Sequence, residues 1–245
     1  MKFIDMDVQS KLSSGSSAPE ELAKFAEELG FSAIVVADVW AGPEKFAAAK
    51  EAVAEAAKNV GIEVVQGVKI VAANPNELRH VIDKVREKTA VVAVAGGNYQ
   101  INRAACECSK VDLLCHPSLG RTDNGLDEVC LNAARENNVA IELNFREVLH
   151  SYRRQRSIIL ANMAANIKLC EALRVPMVIA SGAQSVEDLR DPRELISIAD
   201  ILGLELSKAF ATVSDIPGRM IDINRRKLTE KITAEGVEVM GGKNG

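Results

Sequence analysis

Asp127-Glu128-Val129-Cys130-Leu131-Asn132-Ala133-Ala134-Arg135-Glu136-Asn137-Asn138-Val139-Ala140-Ile141-Glu142-Leu143-Asn144 carries two signals in succession. Asp127 is an N-cap residue, and the helix it opens ends near Asn137-Asn138. The run Val139–Asn144 then reads as a strand. It is nearly continuous in apolar residues rather than alternating, as in a parallel strand covered on both faces. Similar runs occur at Phe3–Asp7, Ala33–Ala37, Ile62–Val71, Val91–Ala95, Val111–Cys115 and Pro176–Ser181. Their spacing of about 20 to 37 residues is that of a strand–helix unit.

Helix signals lie between the runs. Pro19-Glu20-Glu21 opens one towards Gly30, and Pro43 opens another towards Gly61. Asn74-Pro75-Asn76-Glu77 and Asp191-Pro192-Arg193-Glu194 each combine a cap residue, a first-turn proline and an acid three positions on. Arg153 to about Leu173 is the longest helix, and after Ser181 the chain reads as helix to about residue 233. Ser13-Ser14-Gly15-Ser16-Ser17 is a flexible polar loop and not a phosphate cradle. With no dinucleotide fingerprint and no linker, the expected fold is a single α/β domain over residues 1–233. It is a TIM-like barrel of seven parallel strands with extra C-terminal helices, followed by a tail at 234–245.

Composition narrows the function. At 245 residues, 47% hydrophobic and 26% charged, the chain is ordinary globular protein. No apolar run approaches the ~20 residues of a membrane span, and the N-terminus lacks a signal-peptide pattern, so a cytoplasmic location and no membrane partner are expected. A net charge of −4 and 4% aromatic residues exclude a free-standing basic or base-stacking nucleic-acid binder. The five cysteines, Cys106, Cys108, Cys115, Cys130 and Cys170, are odd in number and form no zinc pattern; they read as buried free thiols.

In a barrel the chemistry sits at the C-terminal ends of the strands. Those positions carry Asp5, Asp7 and Gln9; Asp38; Lys69; His116; Glu142 and Asn144; and Gly182 and Gln184. The arrangement is similar to the polymerase-and-histidinol-phosphatase barrel, whose histidines and carboxylates hold divalent ions. Here Gln9 and Gln184 are poor ligands, Gly182 is none, and Lys69 brings positive charge where an acid would be needed. His116 and Glu142 alone remain as ligands, too few for a multinuclear centre. No catalytic residue and no protein metal site is therefore assigned. Lys69 and His116 are left able to meet an anion. Alternatively, Asp5 or Asp7 forms an internal salt bridge with Lys69, and His116 only caps its strand. A metal-dependent phosphoesterase and a Schiff-base enzyme using a buried Lys69 are the competing readings.

Val111–Pro117, Asn138–Phe145, Val175–Ala183 and Asp188–Pro192, with the opening Phe3–Asp7, are more specific. Together they resemble the archaeal ribonuclease P protein component 3 family, the thirty-kilodalton-subunit family shared by archaeal and eukaryotic ribonuclease P. The resemblance covers about residues 1 to 225. It implies a non-catalytic subunit of a ribonucleoprotein that removes the 5′ leader of precursor tRNA. It further implies that the RNA carries catalysis with Mg, that the protein binds no cofactor, and that the partners are ribonuclease P RNA, component 2 and, indirectly, precursor tRNA.

Arginine distribution fits RNA contact. Residues 1–120 hold 3 arginines and residues 121–245 hold 12, and the guanidinium fork matches phosphate. The candidates are Arg121; Arg146, Arg153, Arg154 and Arg156; Arg190 and Arg193; and Arg225 and Arg226, with Arg219 and Lys227 beside them. Each cluster could equally be a solvated helix face with local ion pairs.

Overall fold

The computed structural model describes residues 2–229. Seven strands, β1 (Ile4–Val8), β2 (Ala33–Val36), β3 (Glu63–Ile70), β4 (Val91–Ala95), β5 (Leu113–Cys115), β6 (Ala140–Asn144) and β7 (Met177–Ala180), pair in parallel and in sequence order. Between them run α1 (Pro19–Glu28), α2 (Pro43–Ala56), α3 (Pro75–Val85), α4 (Tyr99–Cys106), α5 (Glu128–Asn137), α6 (Phe145–Leu149) and α7 (Arg153–Leu173). The C-terminal helices are α8 (Pro192–Ile201), α9 (Leu206–Thr212) and α10 (Asp215–Thr229). All seven strands stand within two residues of the expected runs. The expected tail at 234–245 and the expected end of the barrel at 233 lie outside the described residues.

The predicted caps form. Asn74 Oδ1 accepts from the N–H groups of Asn76 and Glu77 at 3.1 and 3.0 Å, and Asp191 Oδ1 accepts from Arg193 N at 2.7 Å. These bonds satisfy donors that the first helical turn leaves open. The expected C-terminal helices are three, α8, α9 and α10. Gly203, at φ 104°, supplies one of the breaks. The helices α4 and α6 were not foreseen; both are short and follow a strand with no proline to announce them.

Strand side chains divide between two apolar clusters. Ala33, Val35, Val65, Val91, Ala93, Leu113, Ala140 and Val178 fill the barrel with Ile4 and Met6. Ile34, Val36, Val64, Val92, Leu114, Ile141 and Ile179 face the surrounding helices. The barrel closes where β7 meets β1, at the bridge between Val8 and Ala183. The floor is sealed by α10. Its Ile221 joins the inner cluster, and Asn224 Nδ2 donates to Ala90 O at 2.9 Å and Asp112 Oδ1 at 2.7 Å. Arg86 holds the other carboxylate oxygen of Asp112 at 2.5 Å.

Candidate functional site

One irregularity in β1 builds the centre of the barrel mouth. Ile4 pairs with Ala33 and Asp5 with Ile34, but the next partner of Val36 is Val8. Two residues, Met6 and Asp7, therefore oppose the single Val35. Strict alternation would turn Asp7 outward with Asp5. The bulge turns it inward beside Lys69, which shares the inner face of β3 with Val65. Re-aiming one side chain in this way is a recurring use of bulges.

Around Asp7 stand Lys69, His116, Glu142 and Asn144. Lys69 Nζ donates to Asp7 Oδ2, with the two side chains 3% and 0% exposed. Asn144 Nδ2 donates to the same oxygen at 3.3 Å. That amide needs room: a Cβ on Gly182, which sits at φ 67°, would lie 2.3 Å from the Asn144 side chain. His116 Nε2 lies 3.4 Å from Lys69 Nζ, and its Nδ1 lies 2.7 Å from Glu147 Oε1 on α6. The partner at Nδ1 is a carboxylate, so the proton belongs there. The Nε2 lone pair then faces the Lys69 ammonium. His116 itself is left-handed at φ 52°, which swings its ring over the mouth.

Glu142 is 2% exposed, and neither of its oxygens meets an N–H or hydroxyl donor. Burial pushes it well above the carboxylate range, helped by the charge of Asp7 and opposed by Lys69. Burial acts the same way on Asp7, but the Lys69 ammonium beside it outweighs this and holds Asp7 below its ordinary value. Of the two neighbouring carboxyls, Asp7 is therefore the one its surroundings favour as the carboxylate. Asp5, behind the bulge, is pushed from 3.8 to about 7 by burial, although the Ser181 and Asp7 N–H groups donate to it.

Asp7, His116 and Glu142 offer ligand atoms within 4.8 Å of one another. A divalent ion does not fit among them as they stand. The Lys69 ammonium already bonds one of the oxygens such an ion would take and faces the His116 nitrogen. A second positive charge there would be repelled. Among the described residues, the mouth presents an ammonium where a bound ion would sit, and the Cys115 thiol beside Glu142 is pushed well above its ordinary value by burial.

The expected binding residues fall into three groups. Lys69, expected to meet an external anion, is buried and engaged by the chain's own Asp7; the salt-bridge alternative is the one that forms. His116 does more than cap its strand, linking Lys69 to Glu147. Arg121, Arg146 and Arg225 are bound by acids: Arg121 by Asp123 at 2.6 Å, Arg146 by Asp188 at 3.1 Å, and Arg225 by Glu63. Arg190 donates to the carbonyls of Glu187 and Leu189 and lies over the Phe145 ring.

Arg153, Arg154 and Arg193 are exposed and make no ion pair among the described residues; Arg226 is exposed on α10. Arg156 donates to Ser151 O at 2.9 Å and lies over the ring of Tyr152, itself 73% exposed. Tyr152 was missed, although an aromatic residue directly before Arg153-Arg154 was the available signal. His150 was missed too. It lies 2.6 Å from Asp188, the acid that also receives Arg146. On the opposite face, a groove of about 620 Å³ runs beside α10 and is lined by Arg174, Lys208, Arg219 and Lys227 among others. The Ser13–Ser17 loop is tied down rather than free. Ser13 Oγ donates to Asp38 at 2.7 Å, and Ser16 N to Gln184 O at 2.7 Å.

A family model described as RNase P subunit p30 matches residues 2–229. The ribonuclease P protein component 3 of Methanosarcina mazei is 35% identical over 230 residues, spanning 94% of this chain and 92% of that protein. The protein of the same name from Methanothermobacter thermautotrophicus is 35% identical over 73% of this chain and 72% of its own length. A chain in a cryo-EM structure of archaeal ribonuclease P with mature tRNA superposes with a TM-score of 0.83. It has 28% identity, covering 99% of this chain and all of that one. A histidinol phosphate phosphatase from Lactococcus lactis, solved with zinc, histidinol and phosphate, shares the fold. Its TM-score is 0.57 at 16% identity, over 85% of this chain and 94% of that one.

Proposed function

The chain belongs to the RNase P subunit p30 family and is a protein subunit of ribonuclease P, and from that premise we propose that it contributes structure and charge, but no catalytic group, to cleavage of the 5′ leader of precursor tRNA. Catalysis and its Mg ions belong to the RNA of the complex. The observation that carries this reading is the closed mouth, where Lys69 neutralises Asp7 and fills the space of a hydrolytic ion. Without an activated water or nucleophile the barrel has no means of attacking a phosphodiester.

RNA contact is assigned to the rim at the start of α7. Arg153 and Arg154 project without acidic partners, and Tyr152 offers an exposed ring with Arg156 against it. Cationic forks beside an aromatic face suit a phosphate backbone carrying a splayed base. Arg193 and Arg226, exposed elsewhere on the surface, are secondary candidates. Arg121, Arg146 and Arg225 are held by acids and serve the fold first. A companion protein, component 2, is proposed as a neighbour in the complex.

The test is reconstitution with ribonuclease P RNA and the other protein subunits. The chain alone should leave precursor tRNA intact, and the assembled enzyme should cleave it. Digesting the RNA should abolish cleavage. Activity that survives nuclease treatment, or cleavage by the chain alone, would overturn the proposal.

A further inference from the structure

We propose that the Lys69 ammonium occupies the place of a divalent cation in a latent site formed by Asp7, His116 and Glu142, and that its removal lets one transition-metal ion bind there.

The donors are those of a metal site. Two carboxylates and one imidazole come together from β1, β5 and β6, with ligand atoms within 4.8 Å of one another. A tetrahedral zinc ion with ligands at about 2.0–2.2 Å holds them about 3.3–3.6 Å apart, so the three groups draw together as the ion binds. Both Glu142 oxygens and Asp7 Oδ1 are buried without an N–H or hydroxyl donor, so ligand capacity remains unused. His116 is prepared as a ligand. Its Nδ1 is held by Glu147 at 2.7 Å, which leaves Nε2 to face inward. A carboxylate behind a ligating histidine is the usual outer support of such a site.

Lys69 satisfies these donors in the manner of an ion. Its Nζ bonds Asp7 and lies 3.4 Å from His116 Nε2, the atom that would ligate. An ammonium carries one charge and has no exchangeable coordination position. It therefore supplies the electrostatic part of a metal's role without the power to activate water. This inference does not depend on the RNA-binding reading, because it concerns the interior of the barrel alone.

The experiment titrates Zn²⁺ or Mn²⁺ into the full chain after stripping with chelator, by calorimetry with a thermal melt in parallel. The wild type should show no stoichiometric site. Lys69→Ala should bind one equivalent and melt higher with the metal than without. Adding His116→Ala should abolish that binding, while His80 and His150 remain as internal controls for surface binding. Adding Glu147→Gln should weaken it roughly 10- to 100-fold. Lys69→Gln, which retains a hydrogen-bond donor for Asp7, repeats the measurement in a gentler background. The proposal fails if the wild type binds the ion as tightly as Lys69→Ala. It also fails if the folded Lys69 variants bind none, or if they stay unfolded when the ion is supplied, since the ion should replace the missing charge.

Discussion

Lys69 Nζ and Asp7 Oδ2 bond to each other inside the barrel mouth, and neither side chain reaches solvent to any useful extent. A buried pair of this kind is costly to break from one side, because the remaining charge has no counterpart. Asp7→Ala should therefore destabilise the protein by about 3–5 kcal/mol in urea denaturation. Lys69→Met combined with Asp7→Leu should recover most of that loss. A double variant as unstable as the single would show that the cost lies in packing rather than in charge.

Asp5 makes stability depend on pH in an unusual direction. Its folded value of about 7 lies above the ordinary 3.8, so between those limits the native state binds the extra proton. Below pH 3.8 the two states are equally protonated at this group. As pH rises to 7 the unfolded state ionises freely and stability falls, by up to about 4 kcal/mol. Asp5→Asn should flatten that part of the profile in denaturation measured from pH 4 to 7. Some slope should remain, because Glu142 is shifted in the same direction. An unchanged slope would mean that Asp5 is ionised in the native protein.

Arg153, Arg154 and Arg156 changed together to alanine should weaken incorporation into the reconstituted enzyme and make precursor tRNA cleavage fail at lower salt. Each lost phosphate contact should reduce the slope of log K against log salt by about 0.7–0.9. Arg121→Ala serves as the contrast, since its guanidinium is held by Asp123. Equal effects from the two variants would remove α7 as the RNA-facing surface.

Asn224 ties the floor helix to both a backbone carbonyl and Asp112. Asn224→Ala leaves those buried acceptors short of a donor and should cost about 1–3 kcal/mol. Trypsin cleavage near Arg225 should accelerate in step, because α10 then lifts more readily from β1 and β7.

The architecture was legible because most strands are nearly continuous apolar runs, β1 with its two aspartates and β3 with Gln66 and Lys69 being the exceptions, and such runs survive any choice of partner. The boundaries moved by one or two residues. The mouth was legible in its parts, and Lys69, His116, Glu142 and Asp7 were all in view. A salt bridge from Lys69 to Asp5 or Asp7 was in view as well; which aspartate makes it was not, because that depends on a bulge in β1 that leaves no mark in Met6-Asp7-Val8. Glu147 and His150 were invisible for a different reason. Both depend on α6, a five-residue helix too short to show a period, and their partners His116 and Asp188 are more than thirty residues away. The arginines divided similarly. Sequence shows where guanidinium groups cluster, but only the fold shows that Glu63 reaches Arg225 and that no described acid pairs with Arg153.

The bridge between Val8 and Ala183 has a bearing on how the chain is made. Strands β1 to β6 each pair with a neighbour that follows shortly in synthesis, so the sheet can grow as it leaves the ribosome. The seam cannot. Asp5 waits 176 residues for the Ser181 N–H, and Val8 waits nearly as long for Ala183. At about 5–20 residues per second, that leaves an open sheet edge on the nascent chain for on the order of ten to thirty seconds. Through that interval β1, paired with β2 on one side, keeps its other edge open to foreign strands. Two aspartates within its five residues, Asp5 and Asp7, put charge on that edge and discourage wrong partners until β7 arrives.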